Sequence, residues 1–161
     1  MYNKSLLRKV ANKLKKSNGI VYVVGNGGSS ATASHMVGDL RKQLKKIAIC
    51  PSDNVSSLTA YTNDNGWEKA YTWINNNLTN EDIMILVSVH GGSTWSSNLV
   101  NVGKKAHYKG AYVVGLSGHD GGKFNQFCDV NIIVNSKDTF EIEYTHSEIC
   151  HEIIRLAKEL K

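Results

Sequence analysis

Residues 20–35 read IVYVVGNGGSSATASH: a short apolar run breaks into glycine and serine, then resumes as a helical pattern that reaches a histidine. β-Branched residues dominate Ile20 to Gly25, which suits a buried strand, and Ser29 to Leu44 places apolar residues at helical spacing. A strand, a glycine-rich turn and a helix make the opening of a βα unit. The first N–H groups of such a helix have no partner within it and favour an anion.

Working outward, the alternation continues. KIAIC (46–50), DIMILVSV (82–89), AYVVGLSG (111–118) and VNIIV (130–134) read as further strands. Between them, Val55 to about Leu78 reads as mostly helix, SSNLVNVGKKAHYKG (96–110) as helix, and Lys123 to Phe127 as a short one. A final helix runs from about Phe140 to Leu160. Toward the amino terminus, Leu6, Leu7, Val10 and Leu14 form one stripe of a helix at about 3–17, stopped by Ser17-Asn18-Gly19. Strands that are apolar along their whole length are covered on both faces. The pattern therefore predicts an α/β fold: a three-layer α-β-α sandwich, Rossmann-like and doubly wound, with five parallel strands in a single domain over 1–161.

The 161 residues are 41% hydrophobic and 20% charged with one proline, a globular composition, and the net charge is +5. The basic residues sit mainly in RKVANKLKK (8–16) and RKQLKK (41–46), which read as solvated helix faces. No aromatic-rich strand or recognition helix accompanies them, so a nucleic-acid partner is not expected; an anionic metabolite is. Cys50, Cys128 and Cys150 are odd in number and widely spaced, which points to a reducing compartment. No uncharged apolar run approaches the ~20 residues of a membrane span, and a soluble, cytoplasmic protein is expected.

Three loops that follow strands are rich in small polar residues: GNGGSS (25–30), SVHGGSTWSS (88–97) and LSGHDGG (116–122). In a parallel sheet all three open on one edge. The first lacks the Lys-Ser/Thr of a nucleotide P-loop and the glycine spacing of a dinucleotide fold, so phosphate without a nucleotide is the expected guest. His35 and Asp39 lie on one side of the helix that leaves this loop. In EIEYTHSEICHEII (141–154), Glu143, His146 and His151 interrupt an apolar pattern, and Glu143 and His151 share a face about two turns apart. If the two helices meet, His35, Asp39, Glu143 and His151 could form acid/base partners or a zinc site.

GNGGSSATASH (25–35), LTAYTND (58–64), the loop starting at Ser88, GLSGHDGG (115–122) and the closing histidine-bearing helix together resemble the sugar isomerase (SIS) domain family, and within it the phosphoheptose isomerases. The likeness runs in order from about Gly19 to Leu160. It implies conversion of sedoheptulose 7-phosphate to D-glycero-D-manno-heptose 7-phosphate through an enediol, for bacterial heptose and surface-glycan synthesis. By that resemblance Asp39 takes the place of the family's base and His151 that of its acid. Asn26, Gly27, Ser29, Asp64 and Glu143 fall at sugar-contacting positions, and Ser88 with Ser93 or Ser96 at the phosphate-binding serines. His35, Asp39, Glu143 and His151 match the positions that hold zinc in some members. A homo-oligomer, dimer or tetramer, with sites near subunit interfaces is implied as well.

The chain also departs from the family. Asp39 is one methylene shorter than the usual glutamate, so it serves as base or only as ligand. The serine loop is longer, with His90 either contacting phosphate or exposed. Phe140 stands where the family has an aspartate, and the amino-terminal helical region is short. The competing reading is a non-catalytic SIS module that binds a sugar phosphate or a protein partner, or an isomerase of another ketose phosphate.

Overall fold

A computed structural model describes residues 2–160. Five strands, β1 (Val21–Gly25), β2 (Ala48–Ile49), β3 (Ile83–Ser88), β4 (Tyr112–Ser117) and β5 (Val130–Ile133), form one all-parallel sheet in the order 2-1-3-4-5. The expected α/β sandwich is the observed one. Strand side chains alternate between two cores, as a period of two requires. Val21, Val23, Ile83, Ile85, Val87, Val114 and Leu116 join the core beneath α1 (Lys4–Lys16), α2 (Gly28–Leu44) and α5 (Thr139–Glu159). Tyr22, Val24, Met84, Leu86 and Val113 join the opposite core, closed by α4 (Ser97–Tyr108), by Tyr71 and by short 3-10 turns carrying Ile74 and Phe124.

The segment read as one helix from Val55 to Leu78 is corrected. α3 (Val55–Asn65) stops at Gly66, whose φ of 83° leaves the helical region, and two 3-10 turns, Trp67–Lys69 and Thr72–Asn76, come next. α3 buries none of its residues, so tertiary packing gives it no reason to extend. KIAIC contributes only the two residues of β2, at the sheet edge, and the turn near Lys123 is a 3-10 helix, Gly122–Gln126.

The order 2-1-3-4-5 reverses direction between β1 and β3, and ligands of open α/β sheets bind at that reversal. Helix capping marks the same place. Asn3, Asn54 and Asp138 cap α1, α3 and α5 with side-chain hydrogen bonds to Ser5, Ser57 and Glu141 N–H. α2 and α4, which leave β1 and β3, start at Gly27 and Ser96 without any side-chain cap. The two helices that flank the reversal are therefore the ones whose N-cap residues leave the first turn without a side-chain cap.

Candidate active site

α2 buries Ala33, Met36, Val37 and Leu40, which turns His35 and Asp39 to its outer side. α5 lies beside it in the same direction. Glu143 meets Gly28, Thr32 Oγ1 lies 3.4 Å from Ser147 Oγ, Asp39 meets His151, and Lys158 Nζ donates to Gln43 Oε1 at 2.9 Å. Each contact lies further along both helices than the one before. Parallel packing thus brings residues more than a hundred positions apart in sequence into one cluster.

Asp39 Oδ2 stands 3.7 Å from His35 Nε2 and 3.7 Å from His151 Nε2. The imidazoles meet edge to face, with centroids 5.0 Å apart. One ligand atom from each residue lies within 4.8 Å of the others. These gaps exceed a hydrogen bond. Ligand atoms at zinc distances around a tetrahedral ion sit about 3.3–3.4 Å apart, so small side-chain shifts would seat a divalent cation here. Two imidazoles and one carboxylate are also a donor set that leaves positions open for substrate. The histidine side chains are 63% and 53% exposed and that of Asp39 25%, and a cavity of about 510 Å³ opens beside Asp39 and His151.

Glu143 stands outside this trio. A Cβ at Gly28 would lie 2.7 Å from Glu143 Oε1, so its carboxylate covers the amino terminus of α2. That start lies seven residues before His35, about 10 Å along the helix axis.

The loop after β1 is joined to the first turn of α4 by amides. Asn26 Nδ2 donates to Asn98 Oδ1 at 2.9 Å, and Asn98 Nδ2 donates back to Asn26 Oδ1 at 3.1 Å. Ser96 Oγ accepts from Asn26 Nδ2 at 3.5 Å, and Tyr71 OH donates to Gly25 O and Asn26 Oδ1 at 3.2 and 3.3 Å. Gly27, at a φ of 55°, is exposed, and Ser29 is buried in the first turn of α2. Ser88 is buried and accepts the Gly92 N–H at 3.2 Å, so its hydroxyl shapes the loop. Ser93 precedes a short 3-10 turn and Ser96 precedes α4. Asp64 is exposed near the end of α3 and accepts from its neighbour Asn63; Phe140 is exposed at the start of α5.

Sequence reasoning missed Asn98 and Tyr71. Asn98 is 1% exposed, and its available signal is a polar residue directly before Leu99 and Val100 at the buried start of α4. Tyr71 has no such signal, because the pattern around it reads as continuous helix. Burial pushes its phenol up to about 12, which keeps it a neutral hydrogen-bond donor.

A family model described as "SIS domain" matches residues 4–118. The chain belongs to the SIS domain family. A phosphoheptose isomerase of Aliarcobacter butzleri is 35% identical to this SIS domain over 156 residues, covering 92% of this chain and 80% of the relative. A phosphoheptose isomerase of Campylobacter jejuni is 35% identical over 150 residues, covering 89% and 79%. The solved phosphoheptose isomerase of Neisseria gonorrhoeae superposes with a TM-score of 0.89 at 24% identity, over 98% of this SIS domain and 87% of that chain. Among the described residues, no helix is long and apolar enough to cross a membrane.

Proposed function

We propose that the chain is a phosphoheptose isomerase that interconverts sedoheptulose 7-phosphate and D-glycero-D-manno-heptose 7-phosphate. Likeness to named isomerases over most of both chains supports the substrate. The observation that carries the chemistry is Asp39 placed equally, at 3.7 Å, from two histidines beside the helices that flank the sheet's reversal. The uncapped start of α4, with Ser93 and Ser96, receives the phosphate; Asn26, Gly27, Ser29, Asp64 and Glu143 serve the sugar hydroxyls.

In the forward direction Asp39 takes a proton from C1 of the ketose, giving an enediol, and returns it to C2. His151 moves the hydroxyl proton from O1 to O2, so no atom is gained or lost. Because aspartate is shorter than glutamate, substrate must approach α2 more closely. Zinc held by His35, Asp39 and His151 would polarise the carbonyl and hydroxyl oxygens of the substrate. With both histidines more than half exposed, a neighbouring copy covers the cluster and keeps the enediol dry. The exposed aromatic rings of Phe140 and Tyr144 on α5 supply apolar surface for that contact.

The test is turnover of sedoheptulose 7-phosphate by purified protein, stripped of metal and then restored with zinc, followed through anomeric proton signals. Turnover only with zinc is the expected result. Turnover in both states would remove the metal from the proposal, and turnover in neither would overturn the isomerase.

A further inference from the structure

The hydrogen bonds that join the loop after β1 to α4 have a direction, fixed at both ends by backbone groups that cannot reverse. At one end the Leu99 N–H can only donate, and it meets Asn98 Oδ1 at 2.9 Å, so the Asn98 amide must turn its oxygen that way. The same oxygen accepts from Asn26 Nδ2, which leaves Asn98 Nδ2 to donate to Asn26 Oδ1. At the other end Gly25 O can only accept, so the Tyr71 phenol must donate. Its one hydrogen is shared between Gly25 O at 3.2 Å and Asn26 Oδ1 at 3.3 Å. A flipped Asn26 amide would set amine against amine and oxygen against oxygen across the pair. With Tyr71 2% and Asn98 1% exposed, solvent does not compete for these bonds.

The locked amide determines what Asn26 can offer a ligand. Its oxygen already accepts two hydrogen bonds, and one Nδ2 proton is occupied by Asn98. The other points to Ser96 Oγ at 3.5 Å, longer than an ordinary N–H···O bond, so it is the spare donor of the group. Asn26 thus meets a substrate as a donor only. Ser96, placed to accept from it, keeps its own hydroxyl proton for a phosphate oxygen.

We propose that Tyr71 is a positioning residue for the isomerase reaction: by holding Asn26 Oδ1 it aims the spare Nδ2 proton, and with it the Ser96 hydroxyl, at oxygen atoms of the bound sugar phosphate. That role presupposes the phosphoheptose isomerase reading, whereas the orientation of the amide does not.

Tyr71→Phe is the test, since it removes the hydroxyl and keeps the buried ring. KM and kcat for sedoheptulose 7-phosphate are measured for this substitution in the full chain and again in the Asn26→Ala background. Hydrogen exchange of the Asn26 side-chain amide, followed through its proton–nitrogen signals, needs neither substrate nor the second variant. Loss of the shared hydrogen bond should raise KM about three- to tenfold, with a smaller change in kcat. In Asn26→Ala the same substitution should change KM by less than about twofold, because the group it acts through is gone. Exchange at the Asn26 amide should quicken by at least about threefold in Tyr71→Phe. An unchanged KM beside a lowered Tm, or an equal rise of KM in both backgrounds, would show a merely structural hydroxyl and overturn the proposal. A parent without turnover would overturn the isomerase reading and the part of Tyr71 in it, even where exchange quickens; unaltered exchange in an active parent would overturn the amide lock alone.

Discussion

Replacing Asn98 with alanine should injure stability and substrate binding together. Asn98 is 1% exposed, and its amide makes three hydrogen bonds: from Asn26 at 2.9 Å, to Asn26 at 3.1 Å and from Leu99 N–H at 2.9 Å. Each is worth about 1 kcal/mol net, and a buried donor left without a partner costs a further ~1–3 kcal/mol. Tyr71 and Ser96 still reach Asn26, so part of its polar demand stays satisfied. The expected loss is about 2–4 kcal/mol, which for a chain of this size lowers Tm by roughly 5–12 °C. Circular dichroism melts measure it directly. The loop after β1 should loosen at the same time, so that KM for sedoheptulose 7-phosphate rises more than kcat falls. A Tm within about 2 °C of the parent, with unchanged KM, would refute the claim that the amide pair holds the loop after β1 against the start of α4.

The site and the core set three further outcomes. His151→Ala should lower turnover by at least about a hundredfold while calorimetric binding of sedoheptulose 7-phosphate persists; normal turnover would exclude His151 as the acid. Asp39→Asn should abolish turnover and also the rise in Tm that zinc gives the parent, whereas a zinc-dependent rise that survives would exclude Asp39 as a ligand. Burial pushes His146, whose ring nitrogens have no hydrogen-bond partner among the described residues, down from its ordinary 6.5 to about 4. The unfolded chain then binds the extra proton first, so this contribution to stability is whole above pH 6.5 and is lost as pH falls toward 4, by about 3 kcal/mol. Urea midpoints at pH 7 and 4.5 should fall further for the parent than for His146→Leu, and an equal fall in both would contradict it.

The fold is legible in the sequence because its signals are local. Val21 to Gly25 and Ile83 to Ser88 are buried on both faces and read as such from composition alone. Residues 55–78 mislead because Gly66, which ends α3, sits among residues with no strong preference, and the packing of Tyr71 and Ile74 sets the path of the chain beyond it. The spacing of His35 to Asp39 and of Glu143 to His151 suggests a shared site, and three of the four residues converge. The place of Glu143 over Gly28 depends on how α5 slides along α2, a tertiary fact without a local signature. The Asn26–Asn98 pair is likewise a product of topology, joining the loop after β1 to the start of α4, which only the adjacency of β1 and β3 brings together.

The division of each strand between two cores also determines where this chain tolerates a change of length. One extra residue within β3 would exchange Ile85 and Leu86 between the opposing cores and shift the pairing with β1 and β4 at once. One extra residue near Trp95, which is 76% exposed, falls outside the strands and leaves their pairing register as it is. Insertions and deletions can therefore reshape what the carboxyl edge receives without disturbing the scaffold, and grafted loops belong there.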